Sequence, residues 1–423
     1  MTVELPTASK AQHSLRHTDS GGLPPELTSR LRARWNRCYN SSLLSDSRWD
    51  FSVMSLGSSV ATSSAAASAQ QPETSIRGPW GQLTGIQILG TGSYAPPQVV
   101  TNADLAALGC DEQWIEQRTG IRERRRAAPE VATSDLAREA SLRCLAAAGV
   151  LASELDLILV CTMTPDHPTP STACLLQHRL GATCGAMDLN AACSGFMYGL
   201  ITAAQFVRSG MCRRVLVIGA EVMSRTVDPS DVRTYPLFGD GAGAVLVGPG
   251  IDSPSNRSTD ETSSAPSTLP QGLLAFNLGS DGSGASLLCA PAGGSREPLS
   301  NESLAAHRQY MHMDGKPVFK WAVKLVEEAM LGAMERAGVT SDQVAAVILH
   351  QANARILDAA MSDLGFAPHK VIMNLDRYGN TSAASIPLVL DEAVRAGRIH
   401  RGDLVLLCGF GAGLTWGVGL MRW

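Results

Sequence analysis

The sequence predicts an α/β protein built from two similar layered units packed about a pseudo-twofold axis. Three observations carry that prediction. Short β-branched and Leu-rich runs alternate with helical patterns, as in sheets covered by helices. Aromatic residues make up only 5% of the chain and glycine contributes 40 of its 423 residues, a composition suited to closely stacked layers. Segments of the N-terminal part also recur in the same order about 189 positions later.

The repeat is clearest where "AGVLASELDLILVC" (148–161) aligns without gaps on "AGVTSDQVAAVILH" (337–350). Each copy is a helix end with glycine, a short loop, and an apolar run typical of a buried strand. Each then passes through a loop into a helical pattern ending in Leu-Gly, at Leu180-Gly181 and Leu364-Gly365. "GAMDLN" (185–190) reads as a strand. "SGFMYGLITAAQFVRSG" (194–210) reads as a helix with Phe196, Leu200, Ile201 and Ala204 on its apolar face. "RVLVIGAE" (214–221) matches "DLVLLCGF" (403–410) at the same offset, and "GDGAG" (239–243) matches "GFGAG" (409–413). Under this alignment Cys161 pairs with His350. Between Cys193 and Gly210 the offset becomes 187, which pairs Cys193 with Asn380. The expected organisation is an N-terminal half at 83–250, a polar insertion at 251–272 and a C-terminal half at 273–423. The insertion, "SPSNRSTDETSSAPSTLPQG" from Ser253, has the composition of a flexible loop. Residues 1–82, with "SSVATSSAAASAQQPETS", lack periodicity and apolar content. They are expected to be an N-terminal extension, either disordered or the product of a start codon placed too far upstream.

Composition excludes several classes of function. With 35 basic and 39 acidic residues, nothing suggests a nucleic-acid surface. No apolar run is long enough to span a bilayer, and the N-terminus lacks the apolar core of a secretory signal. The ten cysteines form no CxxC pair and no zinc-like spacing, so no metal site is expected. Free thiols point to a reducing, cytoplasmic setting.

Three polar residues fall at strand or helix ends, where α/β proteins place their chemistry. Cys193, in "DLNAACSGF", sits among small residues at the start of a helix. Unpaired N–H groups there favour thiolate, although most cysteines only fill space. His350 ends an apolar run and precedes "QANARI"; such a histidine more often packs or caps. Asn380 follows a glycine in "YGNTSAAS", where asparagine usually just tolerates an unusual turn. Taken together, a nucleophile with two hydrogen-bonding partners is the more economical reading.

The set "NAACSGF", "HQANARI", "GNTSAAS", "GTGSYAPPQVVTNADL", "RTGIRERR" and "LFGDGAGAVLV" resembles the β-ketoacyl-[acyl-carrier-protein] synthase III family from about Leu83 to Trp423. The resemblance implies an α/β, thiolase-like, duplicated αβαβα fold and a homodimer. It implies an acyltransferase of fatty acid biosynthesis that uses no permanently bound cofactor. Cys193 would take an acyl group from acyl-CoA. His350 and Asn380, as neutral donors, would stabilise the enolate formed when malonyl-acyl carrier protein loses carbon dioxide. Backbone N–H groups of Cys193 and Ala412 would form the oxyanion hole, Ala412 standing where the family commonly has glycine. By the same resemblance Trp114, Arg118 and the displaced Arg233 would contact the CoA nucleotide. Lys320 and Arg355 would dock the acyl carrier protein. Thr169 would line the acyl pocket across the dimer interface, at a position that is often Phe in the family. Three alternatives bear on the same residues. A papain-like peptidase also uses Cys, His and Asn, but is disfavoured by the duplication and the missing disulfides. A non-catalytic scaffold would not need all three residues. A synthase III-like acyltransferase or condensing enzyme of a specialised, polyketide-type pathway would keep them.

Overall fold

The structure, a computed structural model, describes residues 76–250, 270–362 and 364–423. The first half begins with strands β1 (Trp80–Thr84), β2 (Ile86–Tyr94) and β3 (Gln98–Thr101), helix α1 (Glu112–Thr119) and β4 (Glu123–Arg126). It continues with α2 (Thr133–Ala148), β5 (Leu157–Cys161), α3 (Thr172–Leu180), β6 (Gly185–Leu189), α4 (Gly195–Arg208), β7 (Val215–Val222) and β8 (Asp240–Pro249). The second half opens with β9 (Gly272–Ser280), β10 (Leu288–Cys289), α5 (Asn301–Ala305), β11 (His312–Met313) and α6 (Gly315–Ala337). It closes with β12 (Val344–Leu349), α7 (Ala354–Met361), α8 (Leu375–Tyr378), α9 (Ser385–Arg395), β13 (Leu404–Gly411) and β14 (Thr415–Arg422).

Two five-stranded sheets, ordered β2-β8-β7-β5-β6 and β1-β9-β14-β13-β12, carry the duplication. Strands β2, β8, β7 and β5 correspond to β9, β14, β13 and β12. In each set the first three run antiparallel and the last pair parallel. Every residue of β7 and of β13 is buried, because both faces of these strands are covered and their side chains alternate between two apolar layers. Leu159 and Val217 of the first sheet meet Ile348 and Leu407 of the second through α4 and α9, by way of Phe196, Leu200, Ile386 and Val389. On the outer faces, Leu136 and Ala140 of α2 cover Ile158 and Leu216, while Trp321 and Leu325 of α6 cover Val347 and Leu406. Helix, sheet, helices, sheet, helix is therefore the layer order. Helix α4 is apolar on nearly every side because it is the central filling.

Three sequence expectations are corrected. First, the fold reaches upstream of residue 83: Trp80 opens β1, whose partner is β9 of the second half. A strand whose partner lies almost 200 residues away gives no local periodicity to read. The rest of the expected extension, residues 1–75, and positions 251–269 of the insertion lie outside the described residues; β9 takes up Gly272 from the insertion's expected end. Second, "GDGAG" opens β8 whereas "GFGAG" closes β13, so they are not counterparts. Both are glycine-rich because strands pass close to a central turn or helix: a Cβ on Gly243 would press on Pro387 and Leu388, and one on Gly411 on Cys193. Third, the counterpart of Asn380 is Asn190. Asn190 Oδ1 accepts from the Ala192 N–H at 3.1 Å, and Asn380 Oδ1 accepts from the Ser382 N–H at 2.9 Å. Ala192 and Ser382 both have left-handed backbones, with φ of 47° and 50°. Cys193 thus corresponds to Ala383. The offset of 187 is right only past the helix, because α4 has 14 residues and α9 has 11; the missing residues fall inside the helix.

Candidate active site

Cys193 lies in the single turn that leads from β6 into α4. No backbone carbonyl among the described residues takes its N–H, and none takes that of Ala412. Strand β13 passes directly over the cysteine: a Cβ on Gly411 would stand 2.7 Å from Cys193 Cβ. That close approach brings the Ala412 N–H to the thiol as a hydrogen-bond donor, beside the N–H of Cys193 itself. Ala412 lies outside the left-handed region, and the positive φ of the bend falls on Gly413. The side chain at Ala412 therefore costs the loop no strain, and its N–H is kept.

His350 follows β12, with its N–H donating to the Cys408 carbonyl at 2.8 Å. Its ring packs edge-on against Phe410 at 5.3 Å between centroids. Nδ1 lies 2.7 Å from Ser385 Oγ, which also receives the Gln351 N–H at 3.4 Å. When the Ser385 hydroxyl gives its hydrogen to Nδ1, the ring hydrogen sits on Nε2. Burial pushes the imidazolium down to about 3, so His350 is a neutral donor. Asn380 is fixed by the Leu237 carbonyl, which accepts its N–H at 2.8 Å, and by its own Oδ1 on the Ser382 N–H at 2.9 Å. Its Nδ2 is left as the outward donor.

Cys193, His350, Asn380 and Ala412 line one cavity of about 160 Å³. Its other walls are mostly apolar, among them Met163, Leu288, Met311, Val318, Phe319 and Ile356. The thiol itself does not match the sequence expectation. Burial pushes Cys193 up to about 12, against the lowering by the Ser382 hydroxyl and the Cys193 and Ala412 N–H groups. Burial thus favours the thiol form, desolvation outweighing the helix end.

The remaining sequence candidates are not part of the cavity's lining. Helix α1 leans on the start of α7 through Asn353 Nδ2, which donates to the Arg118 carbonyl at 3.1 Å. Asn353 itself lines the cavity. On α1, the Arg118 guanidinium stacks 4.5 Å from the centre of the half-buried Trp114 ring. Arg233 is exposed and paired with Asp231 at 2.9 Å. Lys320 on α6 and Arg355 on α7 are exposed, each beside a cavity-lining residue, Phe319 and Ile356. Thr169 is exposed in the loop between β5 and α3 and does not line the cavity of its own chain.

Sequence reasoning missed Glu221, Ser382 and Ser385. The two serines were inside a quoted motif. Glu221 was visible as a carboxylate near the end of an apolar strand.

The family described as 3-oxoacyl-[acyl-carrier-protein (ACP)] synthase III matches residues 187–265, and its C-terminal domain matches residues 334–423. The chain is 60% identical over 344 residues to the β-ketoacyl-[acyl-carrier-protein] synthase III of Rhodopirellula baltica, covering 81% of this chain and 100% of that enzyme. It is 46% identical over 343 residues to the enzyme of the same name from Desulfitobacterium hafniense, covering 81% of this chain and 98% of that one. The crystal structure of 3-oxoacyl-[acyl-carrier-protein] synthase III from Aquifex aeolicus superposes with a TM-score of 0.70 at 42% identity, over 80% of this chain and 100% of that one. Sharing this fold, and most of its residues with an enzyme whose whole length it spans, the chain belongs to the β-ketoacyl-[acyl-carrier-protein] synthase III family.

Proposed function

We propose that Cys193, His350 and Asn380 divide the two half-reactions of this enzyme between them. As a member of its family the chain is a condensing acyltransferase. It joins an acyl primer to a malonyl unit with loss of carbon dioxide, the initiating step of fatty acid synthesis. In the first half-reaction Cys193 attacks the thioester of acyl-CoA. One thioester is exchanged for another, so the acyl group stays activated. In the second, malonyl-acyl carrier protein enters the same cavity and loses carbon dioxide. The enolate that forms is held by His350 Nε2–H and Asn380 Nδ2–H, then attacks the acyl carbonyl on Cys193. The resulting oxyanion faces the N–H groups of Cys193 and Ala412. No resident cofactor enters these steps.

The observation that carries this reading is the meeting of one buried thiol, two neutral side-chain donors and two N–H groups that no carbonyl takes, all on one small cavity. Trp114 and Arg118 would take the CoA nucleotide by stacking and phosphate pairing; Arg233, held by Asp231, contributes less. Lys320 and Arg355 would meet the acidic carrier protein at the mouth. A second copy of the chain would bring its Thr169 to the acyl pocket. The setting is cytoplasmic; no helix among the described residues is long and apolar enough to cross a membrane.

The test separates the half-reactions. His350→Ala and Asn380→Ala should each slow malonyl decarboxylation roughly a hundred- to a thousand-fold, the usual loss for one such donor. Both variants should still acquire an acyl group on Cys193. Release of carbon dioxide at the wild-type rate by either variant would overturn the assignment.

A further inference from the structure

The two N–H groups assigned to the oxyanion come from opposite halves of the chain, Cys193 from the turn before α4 and Ala412 from the bend after β13. Such donors act only if they are fixed in place before the reaction. Strand β13 reaches the turn with no side chains in between. A Cβ on Gly409 would stand 3.2 Å from Ser194 Cα, and one on Gly411 3.0 Å from Cys193 N. This contact brings the segments together without bonding them: among the described residues, no backbone hydrogen bond joins the turn to β13 or to its bend.

The polar tie between them is a pair of hydroxyls. Ser194, with no solvent exposure, places its Oγ 2.8 Å from Oγ1 of Thr415, the residue that pairs with Gly411 across the β13–β14 hairpin. Thr415 Oγ1 also lies 2.8 Å from the Ala412 carbonyl oxygen and 3.1 Å from that of Ala191. Ser194 Oγ lies 2.7 Å from the same Ala191 oxygen. Two hydroxyl oxygens as close as those of Ser194 and Thr415 need a hydrogen between them. One hydroxyl therefore donates to the other, and the second donates to a backbone carbonyl, that of Ala412 or of Ala191. Neither residue lines the cavity, so neither touches the reacting groups.

We propose that Ser194 and Thr415 are positioning residues that hold the Cys193 and Ala412 N–H groups in register for the tetrahedral oxyanion. Ser194 directly follows the nucleophile, and the bend from Gly411 to Thr415 carries Ala412. The bond between the two hydroxyls thus spans the oxyanion site from behind its donors. Without it the bend keeps its bonds to Asp281, through the Leu414 N–H and carbonyl at 2.9 and 2.8 Å, but these tie it to the second half alone. Loss of the tie should therefore loosen the donors while leaving the hairpin in place.

This rests on the reading of those two N–H groups as the oxyanion donors. The test follows single-turnover acylation of the full-length enzyme by acyl-CoA, read by intact-protein mass spectrometry. Thr415→Val keeps the shape and removes one hydroxyl, Ser194→Ala removes its partner, and Thr415→Ser keeps a hydroxyl. Thr415→Val and Ser194→Ala should each slow maximal acylation about tenfold, short of the roughly hundredfold that losing a donor outright costs. The acyl-CoA concentration giving half-maximal rate should not change. The double variant should be no slower than the worse single one, and Thr415→Ser should recover most of the rate. Infrared spectra of the acyl-enzyme, carrying a ¹³C-labelled carbonyl, supply the second readout. Donors in register lower the carbonyl stretch below that of a free thioester, and Thr415→Val and Ser194→Ala should move it back up. If Thr415→Val does not fold, Ser194→Ala carries the same measurements. Wild-type rate and carbonyl frequency in the variants, losses that multiply in the double, or a Thr415→Ser no better than Thr415→Val would overturn the tie. A wild-type acyl-enzyme whose carbonyl absorbs like a free thioester would instead remove the oxyanion reading, and the tie with it.

Discussion

At Cys193 two effects oppose each other. The N–H groups of Cys193 and Ala412 and the Ser382 hydroxyl favour the thiolate, and burial favours the thiol and prevails. Cys161 and Cys408 are raised by burial as well, but neither lines the cavity. Selectivity therefore comes from access and oxyanion donors rather than from a free thiolate. Among the described cysteines, acyl-CoA should acylate Cys193 alone, while iodoacetamide should label the exposed Cys174 first; peptide mass spectrometry after each treatment checks both halves of the prediction. Two other buried groups give stability a pH signature. Glu221 is raised from 4.5 to about 7 by burial, so between those values the folded state holds a proton that the unfolded chain releases. Stability should fall as pH rises through that window. Glu221→Gln should therefore gain more melting temperature over wild type at pH 8 than at pH 5. His350, lowered from 6.5 to about 3, works in the other direction. Below about 6.5 the unfolded chain takes up a proton that folded His350 does not, so acidification costs stability, and His350→Gln should flatten that limb of the melting curve.

Elements show where the sequence could be read and where it could not. Strands β5, β7, β12 and β13 were legible because buried strands are uniformly apolar, and the helix starting near Ser194 because its pattern ends in glycine. The turn that holds Asn380 was legible as a motif but misaligned, since a shortening inside α9 leaves no local trace until the left-handed residues Ala192 and Ser382 are laid together. Strand β1 was missed because its partner lies in the other half. The closeness of β13 to Cys193 was not legible at all, because it arises from the packing of elements far apart in sequence. It makes a sharp prediction. In Gly411→Val the branched side chain would have to occupy the space of Cys193 Cβ and Sγ. Condensation should fall by at least a hundredfold, with a loss of stability in the range of about 1–3 kcal/mol that overpacking brings. Thermal melts and acylation assays on the purified variant check the two effects separately.

For the whole molecule, the wall of the proposed acyl pocket decides which primers fit. Within one chain the pocket is about 160 Å³ with apolar walls, and Thr169 stands outside it on an exposed loop. If a second chain places Thr169 against that pocket, a small side chain there leaves room for primers longer than acetyl. Thr169→Phe should then shorten the accepted chain. Each buried CH₂ is worth about 0.8 kcal/mol, so two lost methylenes should appear as more than a tenfold shift in kcat/KM between short and medium acyl-CoA primers. Unchanged specificity together with a dimeric elution volume would show that other residues set the depth.

The matched turns at Asn190–Ala192 and Asn380–Ser382 are one device used twice. In each, an asparagine side chain closes on the N–H of a left-handed residue two positions on. That clamp occupies only the amide oxygen, so the amide nitrogen of the same side chain is left for other work. Asn190 is exposed and stands off the cavity, whereas Asn380 lines it. The first clamp serves shape alone, and the second holds its turn and still presents a donor to the cavity.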